Sequence, residues 1–268
     1  MAIVKASKNS ELERYFKNLS NNGLVNYGAS GYKKWHWQYA ENSFLSKEDV
    51  PSWLYVSEGK PIAHLGAIPL ELKTGMQKIR IGWAVDFMTL PECRGKGIGR
   101  LLIDEANKDF DAFMSIGQTD MAAKLFTKMG WNFLGDIPYY AKVFDTKFLI
   151  RKKIKNPLII EALSISGNIF LAVFNYVKKP HRPKNIEICR IDNFIQDADL
   201  FWEEIVGYYN VVVPRNKTFL NWKYSSQPGM DYIKFCAVRC NKTCGYIILR
   251  TIESGTENKQ QGLIVDLV

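Results

Sequence analysis

The sequence predicts an α+β fold: a mixed, mostly antiparallel sheet flanked by helices, complete once at the N-terminal side and repeated in part at the C-terminal side. Three observations predict it. Short stretches of alternating apolar residues are interleaved with helical patterns. A weak internal repeat relates the two ends of the chain. A glycine-rich turn joins a long apolar strand to a helix in the first copy alone.

The elements follow in the same order in each copy. A short strand comes first, then an acidic-aromatic helix, Ser10 to Leu19 in one copy and Gln196 to Tyr208 in the other. A second helix ends in Trp37-Gln38-Tyr39, matched by Trp222-Lys223-Tyr224 at an offset of 185 residues. An alternating hairpin aligns Lys60-Pro61-Ile62-Ala63-His64 with Lys242-Thr243-Cys244-Gly245-Tyr246 at an offset of 182, and a longer strand aligns Val85-Asp86-Phe87 with Val265-Asp266-Leu267 at 180. The drift is what unequal loops produce. In the first copy the long strand, Ile79 to Leu90, continues into Pro91-Glu92-Cys93-Arg94-Gly95-Lys96-Gly97-Ile98-Gly99-Arg100 and a helix. The second copy stops on the matching strand at Val268, so it carries no such loop.

Composition sets the outer bounds. With 268 residues, 47% hydrophobic and 13% aromatic, the chain fills sizeable cores and exceeds one ordinary domain. The expected division is 1–150, a linker 151–185, and 186–268. Of the net charge of +9, residues 1–150 carry an excess of +3, 151–185 of +7 and 186–268 of −1. Basicity confined to a linker argues against a nucleic-acid-binding face. Within the linker, Pro157 to Val177 is apolar between basic runs. Its 21 residues match a bilayer span, but Glu161, Asn168 and Asn175 are costly at membrane depth. Leu158, Ala162, Ile165, Ile169 and Val173 recur at helical spacing, and the expectation is a helix packed between the two units, with membrane contact ranked below it.

Five cysteines and no secretory signal fit a reducing cytoplasm. Cys236, Cys240 and Cys244 are read as two strands around an Asn-Lys turn, and no metal site is expected.

The chemistry is expected in the loop. Glycines where a strand turns into a helix let backbone N–H groups converge, and the helix adds its positive dipole end, a combination that suits a pyrophosphate. The alternating glycines fit neither the dinucleotide fingerprint nor a Walker loop. Arg94-x-x-Gly97-x-Gly99, with Pro91 before it and Leu101-Leu102 after it, resembles the coenzyme A pyrophosphate loop of the GCN5-related N-acetyltransferases. Ala122 to Met129, followed by Gly130 and Trp131, resembles that family's second cofactor helix. Tandem arrangements with one working half occur in that family, mycothiol synthase-like proteins among them.

The resemblance implies acetyl-CoA as cosubstrate and direct transfer of its acetyl group to a primary amine of a small molecule. Phe87, Met88, Thr89, Arg94, Gly95, Lys96, Gly97, Ile98, Gly99, Arg100, Thr119 and Phe126 would hold the cofactor. Pantetheine would insert where strand 79–90 splays from the strand near Phe113 to Ile116, with N–H groups near Met88 and Thr89 polarising the thioester. The base candidates are Asp86, an isolated carboxylate in an apolar strand that should have a raised pKa, with a structural role shared with Asp266 as an equal alternative, and Glu92 at the loop's mouth. His64 is placed on the hairpin facing the groove, with a packed, hydrogen-bonded role expected ahead of a functional one. Phe126 stands where the family usually has the tyrosine that protonates the leaving thiolate, and Thr119 stands near its usual Asn. Tyr139 or Tyr140, on the expected next strand, would substitute for the tyrosine. Two alternatives stay open: a catalytically silent CoA-binding module and an aminoacyl transferase of the peptidoglycan type. A homodimer is compatible with the sequence.

Overall fold

The computed structural model describes residues 2–7, 12–45, 49–138, 140–179, 183–254 and 259–268. Ser10, the expected start of the first helix, lies outside them, as do Tyr139 and, in the second basic run, residues 180–182. The chain forms two compact units, one of residues 1–131 with 186–268 and one of residues 132–185.

The larger unit begins with β1 (Ala2–Ser7), α1 (Leu12–Asn21) and α2 (Gly31–Tyr39). The strands β2 (Asp49–Ser57), β3 (Lys60–Thr74) and β4 (Gln77–Thr89) follow as an antiparallel meander. Then come α3 (Ile98–Ala106), β5 (Ala112–Met114) and α4 (Asp120–Lys128). The smaller unit holds α5 (Lys147–Arg151) and α6 (Pro157–Val177). The chain returns to the larger unit with β6 (Glu187–Ile191), α7 (Gln196–Ile205), β7 (Val211–Val212), α8 (Lys217–Tyr224), β8 (Ile233–Arg239), β9 (Lys242–Ser254) and β10 (Lys259–Leu267).

Two mixed or antiparallel sheets result. The first runs β1-β2-β3-β4-β5, with β7 added to the far end of β3; the second runs β10-β9-β8-β6. Among the described residues, only the β4–β5 pairing is parallel. The hairpin expected around the Asn241-Lys242 turn is present with its turn one residue earlier: Lys242 pairs with Arg239, and the turn residues Cys240 and Asn241 both have positive φ, 51° and 59°, the geometry a tight two-residue hairpin turn needs.

The two chain halves share a core. Ile81, Leu70 and Trp37 from the first half pack with Phe219, Trp222 and Ile248 from the second. Trp37 and Trp222 stack with ring centroids 4.8 Å apart. Each indole N–H donates to the other's backbone carbonyl, at 2.9 and 3.2 Å, so both buried donors are satisfied by one reciprocal exchange. Asp86 and Asp266 also sit alike: each stands at a register shift, Asp86 within it and Asp266 just after it, and each accepts a tyrosine hydroxyl from the helix ending in Trp-x-Tyr, Tyr39 at 2.6 Å and Tyr224 at 2.9 Å.

Two expectations need correction in the smaller unit. No strand forms after α4: residues 132–138 and 140–146 are irregular, and Tyr140 is exposed. Their Gly135 and Pro138 interrupt any alternation. The helix at 157–177 forms over the expected range, but it does not pack as a core helix; Ile160 and Ser164 are its buried residues.

Candidate functional site

A bulge in β4 sets the geometry. His64 opposes Met88 and Gly66 opposes Val85, so two residues, Asp86 and Phe87, face the single residue Leu65. Asp86 takes φ +51°, a left-handed conformation that strains a residue carrying a Cβ. Its side chain is well held: the Oδ2 atom accepts hydrogen bonds from the hydroxyls of Tyr27 and Tyr39 and from the Gln38 amide. Gly66 makes room for this, since a Cβ there would lie 2.0 Å from the Tyr39 hydroxyl.

The Asp86 carbonyl is held as well. His64 is fully buried, its Nδ1 3.0 Å from that carbonyl and its Nε2 2.8 Å from Ser52 Oγ. A carbonyl accepts only, so Nδ1 carries the proton and Nε2 accepts from the serine hydroxyl. Burial pushes the imidazole pKa down to about 4, and it is neutral at physiological pH. His64 thus takes the packed, hydrogen-bonded role expected ahead of a functional one, buried rather than facing a groove. Asp86 is not the isolated carboxylate of one expectation but has the structural role of the other: it is the acceptor of a three-donor cluster that fixes the bulge. Burial and the neighbouring carboxylate push both phenols, Tyr27 and Tyr39, above the ordinary tyrosine range.

Ahead of the bulge, β4 loses its neighbour on one side. Its parallel pairing with β5 covers Ile81, Gly82 and Trp83 and ends there, while pairing with β3 continues to Thr89. From Ala84 onward one edge of β4 therefore faces a gap, and alternate backbone groups on that edge are free to meet a ligand. Beside the last residues of this edge lies a cavity of about 860 Å³, near the upper end for ligand pockets. Phe87, Met88 and Thr89 form one wall.

The glycine loop forms the floor. Pro91–Cys93 makes a single 3-10 turn, and Gly95 and Gly97 then take φ +77° and +76°. Gly97 caps α3, whose first turn, Ile98 to Arg100, lines the cavity; the Arg100 N–H returns to the Gly97 carbonyl at 3.1 Å, and the helix offers no acceptor to the N–H groups of Ile98 and Gly99. Gly99 permits close approach: a Cβ there would lie 2.9 Å from Phe87 and 3.0 Å from Leu125. The far wall is α4, begun by Thr119, whose hydroxyl accepts from the Ala122 N–H at 3.3 Å.

Four basic side chains and one acidic side chain line this space: Arg94, Arg100, Lys124 and Lys128 against Asp120. Arg94 is steered by its Nε donating to the Thr89 carbonyl at 3.1 Å, and Arg100 shares Asp104 at 3.6 Å. Such a wall suits a polyanion.

Ten of the twelve residues expected to hold a cofactor thus meet at one cavity. Lys96 is exposed and off its walls. Phe126 is buried behind them, stacked 4.3 Å from Trp131 and 5.9 Å from Phe87. Of the catalytic candidates, Asp86 serves the bulge, Glu92 is exposed on the 3-10 turn next to the lining Cys93, and Tyr139 lies outside the described residues. Sequence reading missed Lys124 and Lys128. Their signal was available: they are four apart on α4 and so share one helical face.

A family model for the acetyltransferase (GNAT) domain matches residues 48–132. This segment is a GNAT domain. It contains β2 to β4, the glycine loop, α3 and α4, that is, the whole cavity. No curated protein matches the chain in sequence. Among solved structures, a conserved protein of Enterococcus faecalis V583 described as a probable N-acyltransferase is similar at TM-score 0.54 and 12% identity, over 94% of this chain and 55% of its own. A GCN5-related N-acetyltransferase from Anabaena variabilis matches at 0.52 and 14%, over 100% of this chain and 58% of its own. Eis1 from Mycobacterium abscessus matches at 0.51 and 12%, over 100% and 59%. At these identities the likeness shows the fold: a GNAT-like α+β architecture. The chain spans 55 to 59% of the length of these proteins.

Proposed function

We propose that this protein moves an acetyl group from acetyl-CoA to a primary amine of a small molecule by direct transfer, and that residues 186–268 are a partial second GNAT copy supporting the first. The observation that carries the reading is the juxtaposition of an unpaired strand edge, a left-handed glycine loop and four basic side chains around one cavity. Its chemistry fits a long ligand with a diphosphate at one end and a hydrogen-bonding arm at the other. When bound, acetyl-CoA supplies an activated acyl carbon with a thiolate leaving group.

The chain's residues have separate tasks in this reading. The loop from Gly95 to Gly99 holds the diphosphate through main-chain N–H groups, and Arg94, Arg100, Lys124 and Lys128 balance its charge. The β4 edge at Met88 and Thr89 presents an N–H to the thioester oxygen, and the bulge below it fixes that direction. The amine must attack unprotonated. With Asp86 committed to its tyrosines, Glu92 is the remaining proposed base, acting through water from the cavity mouth. A thiol has a reference pKa of about 8.5, so its thiolate departs near neutrality without an acid.

One observation favours a second reading. Phe126 is locked in an aromatic stack and offers no hydroxyl, as a CoA-binding module without turnover would show. Incubating the protein with acetyl-CoA and an amine panel, with acetylated products read by mass spectrometry, separates the readings. Product supports transfer; CoA binding with no product on any amine supports the silent module; absence of CoA binding sinks both. The free cysteines fit the reducing cytoplasm proposed for it.

A further inference from the structure

The smaller unit carries a surface that the acyl-transfer reading does not use. Glu161, Ser164, Asn168 and Asn175 of α6 recur at steps of three, four and seven, which places them on one stripe of the helix. The preceding segment covers that stripe. Lys147 Nζ donates to Glu161 Oε2 at 2.5 Å, the Thr146 N–H and hydroxyl donate to Asn168 Oδ1 at 2.8 and 2.9 Å, and Asn168 Nδ2 donates to Asp145 at 3.1 Å. Gly167 lets the segment approach, since a Cβ there would lie 2.7 Å from the Thr146 hydroxyl.

Every polar side chain that made a membrane contact look costly, save Asn175, is thus paired on this one side. The opposite half of the helix is apolar and uncovered: Ile159, Leu163, Ile169, Phe170, Val173 and Phe174 are all exposed, Phe170 to 68%. Ser166 is the polar residue within that half, and its hydroxyl donates back to the Ala162 carbonyl at 3.2 Å. Lys152, Lys153 and Lys155 precede the helix, and Lys178 and Lys179 follow it, all exposed.

The length of the helix, 21 residues, and its composition would also allow it to cross a bilayer. Chain connectivity argues against crossing. Residues 1–131 and 186–268 belong to one unit and share one core, so both ends of the 132–185 segment return to the same side. A single crossing would leave Trp37 and Trp222 on opposite faces of the membrane.

We propose that α6 lies flat in the surface of an anionic lipid bilayer, its apolar half sunk among the acyl chains and its two basic ends on the headgroups. The charge placement picks lipid over a second copy of the chain: a second copy would bring like-charged lysine clusters together, whereas anionic headgroups neutralise both ends at once.

The full chain is mixed with phosphatidylcholine vesicles, either pure or containing about one third phosphatidylserine, and floated on a density gradient. Flotation is expected with the anionic vesicles and should weaken with salt. The double variant Ile169→Glu/Phe170→Glu should float at least about tenfold less, and Lys152→Glu/Lys153→Glu/Lys178→Glu/Lys179→Glu should lose the preference for anionic lipid. All six positions are exposed, so unfolding midpoints should match the parent and exclude misfolding. In the single variant Phe170→Trp, the added fluorescence should be quenched most by brominated lipids about 5 to 10 Å below the headgroups. Failure to float, flotation indifferent to Ile169→Glu/Phe170→Glu, maximal quenching at the bilayer centre, or a dimer that this double variant dissociates would each overturn the proposal. CoA binding by the same variants reads the acyl-transfer site independently.

Discussion

Replacing Gly97 by valine separates backbone conformation from contact. Gly97 sits at φ +76° with nothing within 4 Å of an added Cβ, so the substitution meets no clash and acts through the dihedral alone. Holding a side-chain-bearing residue in the left-handed region costs about 1 to 2 kcal/mol, and a β-branched one more. In a unit of this size each kcal/mol lowers the melting temperature by about 2 to 4 °C, so the free protein should melt a few degrees lower. The larger effect is on the ligand. Saturating CoA at about 100 times its dissociation constant adds roughly 2.7 kcal/mol, a rise of about 5 to 10 °C, and a loop driven out of its left-handed turn should lose most of it. Gly117 is the control: it has φ +66°, is equally open and lies off the cavity walls, so Gly117→Val should show the strain while keeping the CoA response. Differential scanning fluorimetry with and without CoA reads both. If Gly97→Val keeps the full CoA-induced rise, the loop is not the diphosphate cradle.

Reversing Lys124 and Lys128 to glutamate should weaken CoA binding by about tenfold or more in low salt and by less in high salt, as isothermal titration would show. Asp86→Ala should cost about 2 to 4 kcal/mol in urea unfolding, since it strands the hydroxyls of Tyr27 and Tyr39; a cost below about 0.5 kcal/mol would mean the cluster does not hold the bulge. His64 has a folded pKa of about 4 against about 6.5 unfolded, so the unfolded state binds more protons between these values. Its contribution, roughly 3 kcal/mol, is fully present above about pH 6.5 and is lost as pH falls toward 4; denaturation at pH 7, 5 and 4 should show this, and His64→Gln should flatten the slope. Trp222→Ala should destabilise by about 3 to 5 kcal/mol and, by uncoupling a core shared with Trp37, broaden the transition.

The cavity was legible because its determinants are local. Gly95, Gly97 and Gly99 alternate along five residues of chain, and the left-handed dihedrals of Gly95 and Gly97 are set there. The element order was legible for a similar reason, through alternation and helical spacing. What escaped was whatever depends on distant partners. Asp86 looked isolated because Tyr27 and Tyr39 lie 59 and 47 residues away, and nothing in an apolar strand announces two hydroxyls arriving from helix ends. His64 looked groove-facing because strand alternation gives two faces without saying which is covered. The polar residues of α6 looked like penalties against a membrane because their partners, Asp145, Thr146 and Lys147, sit on the preceding segment, where no periodicity links them.

The reciprocal indole exchange bears on how the protein is made. Trp37 finds its partner only after residue 222 has been synthesised, and β3 receives β7 only after residue 212. Until then a nascent chain carries a finished glycine loop beside an unfinished core, with a large aromatic surface open to water and to other chains. Dependence on chaperones should therefore peak during translation of the stretch between residues 131 and 222. Truncation before β7 should yield aggregates rather than a smaller soluble domain.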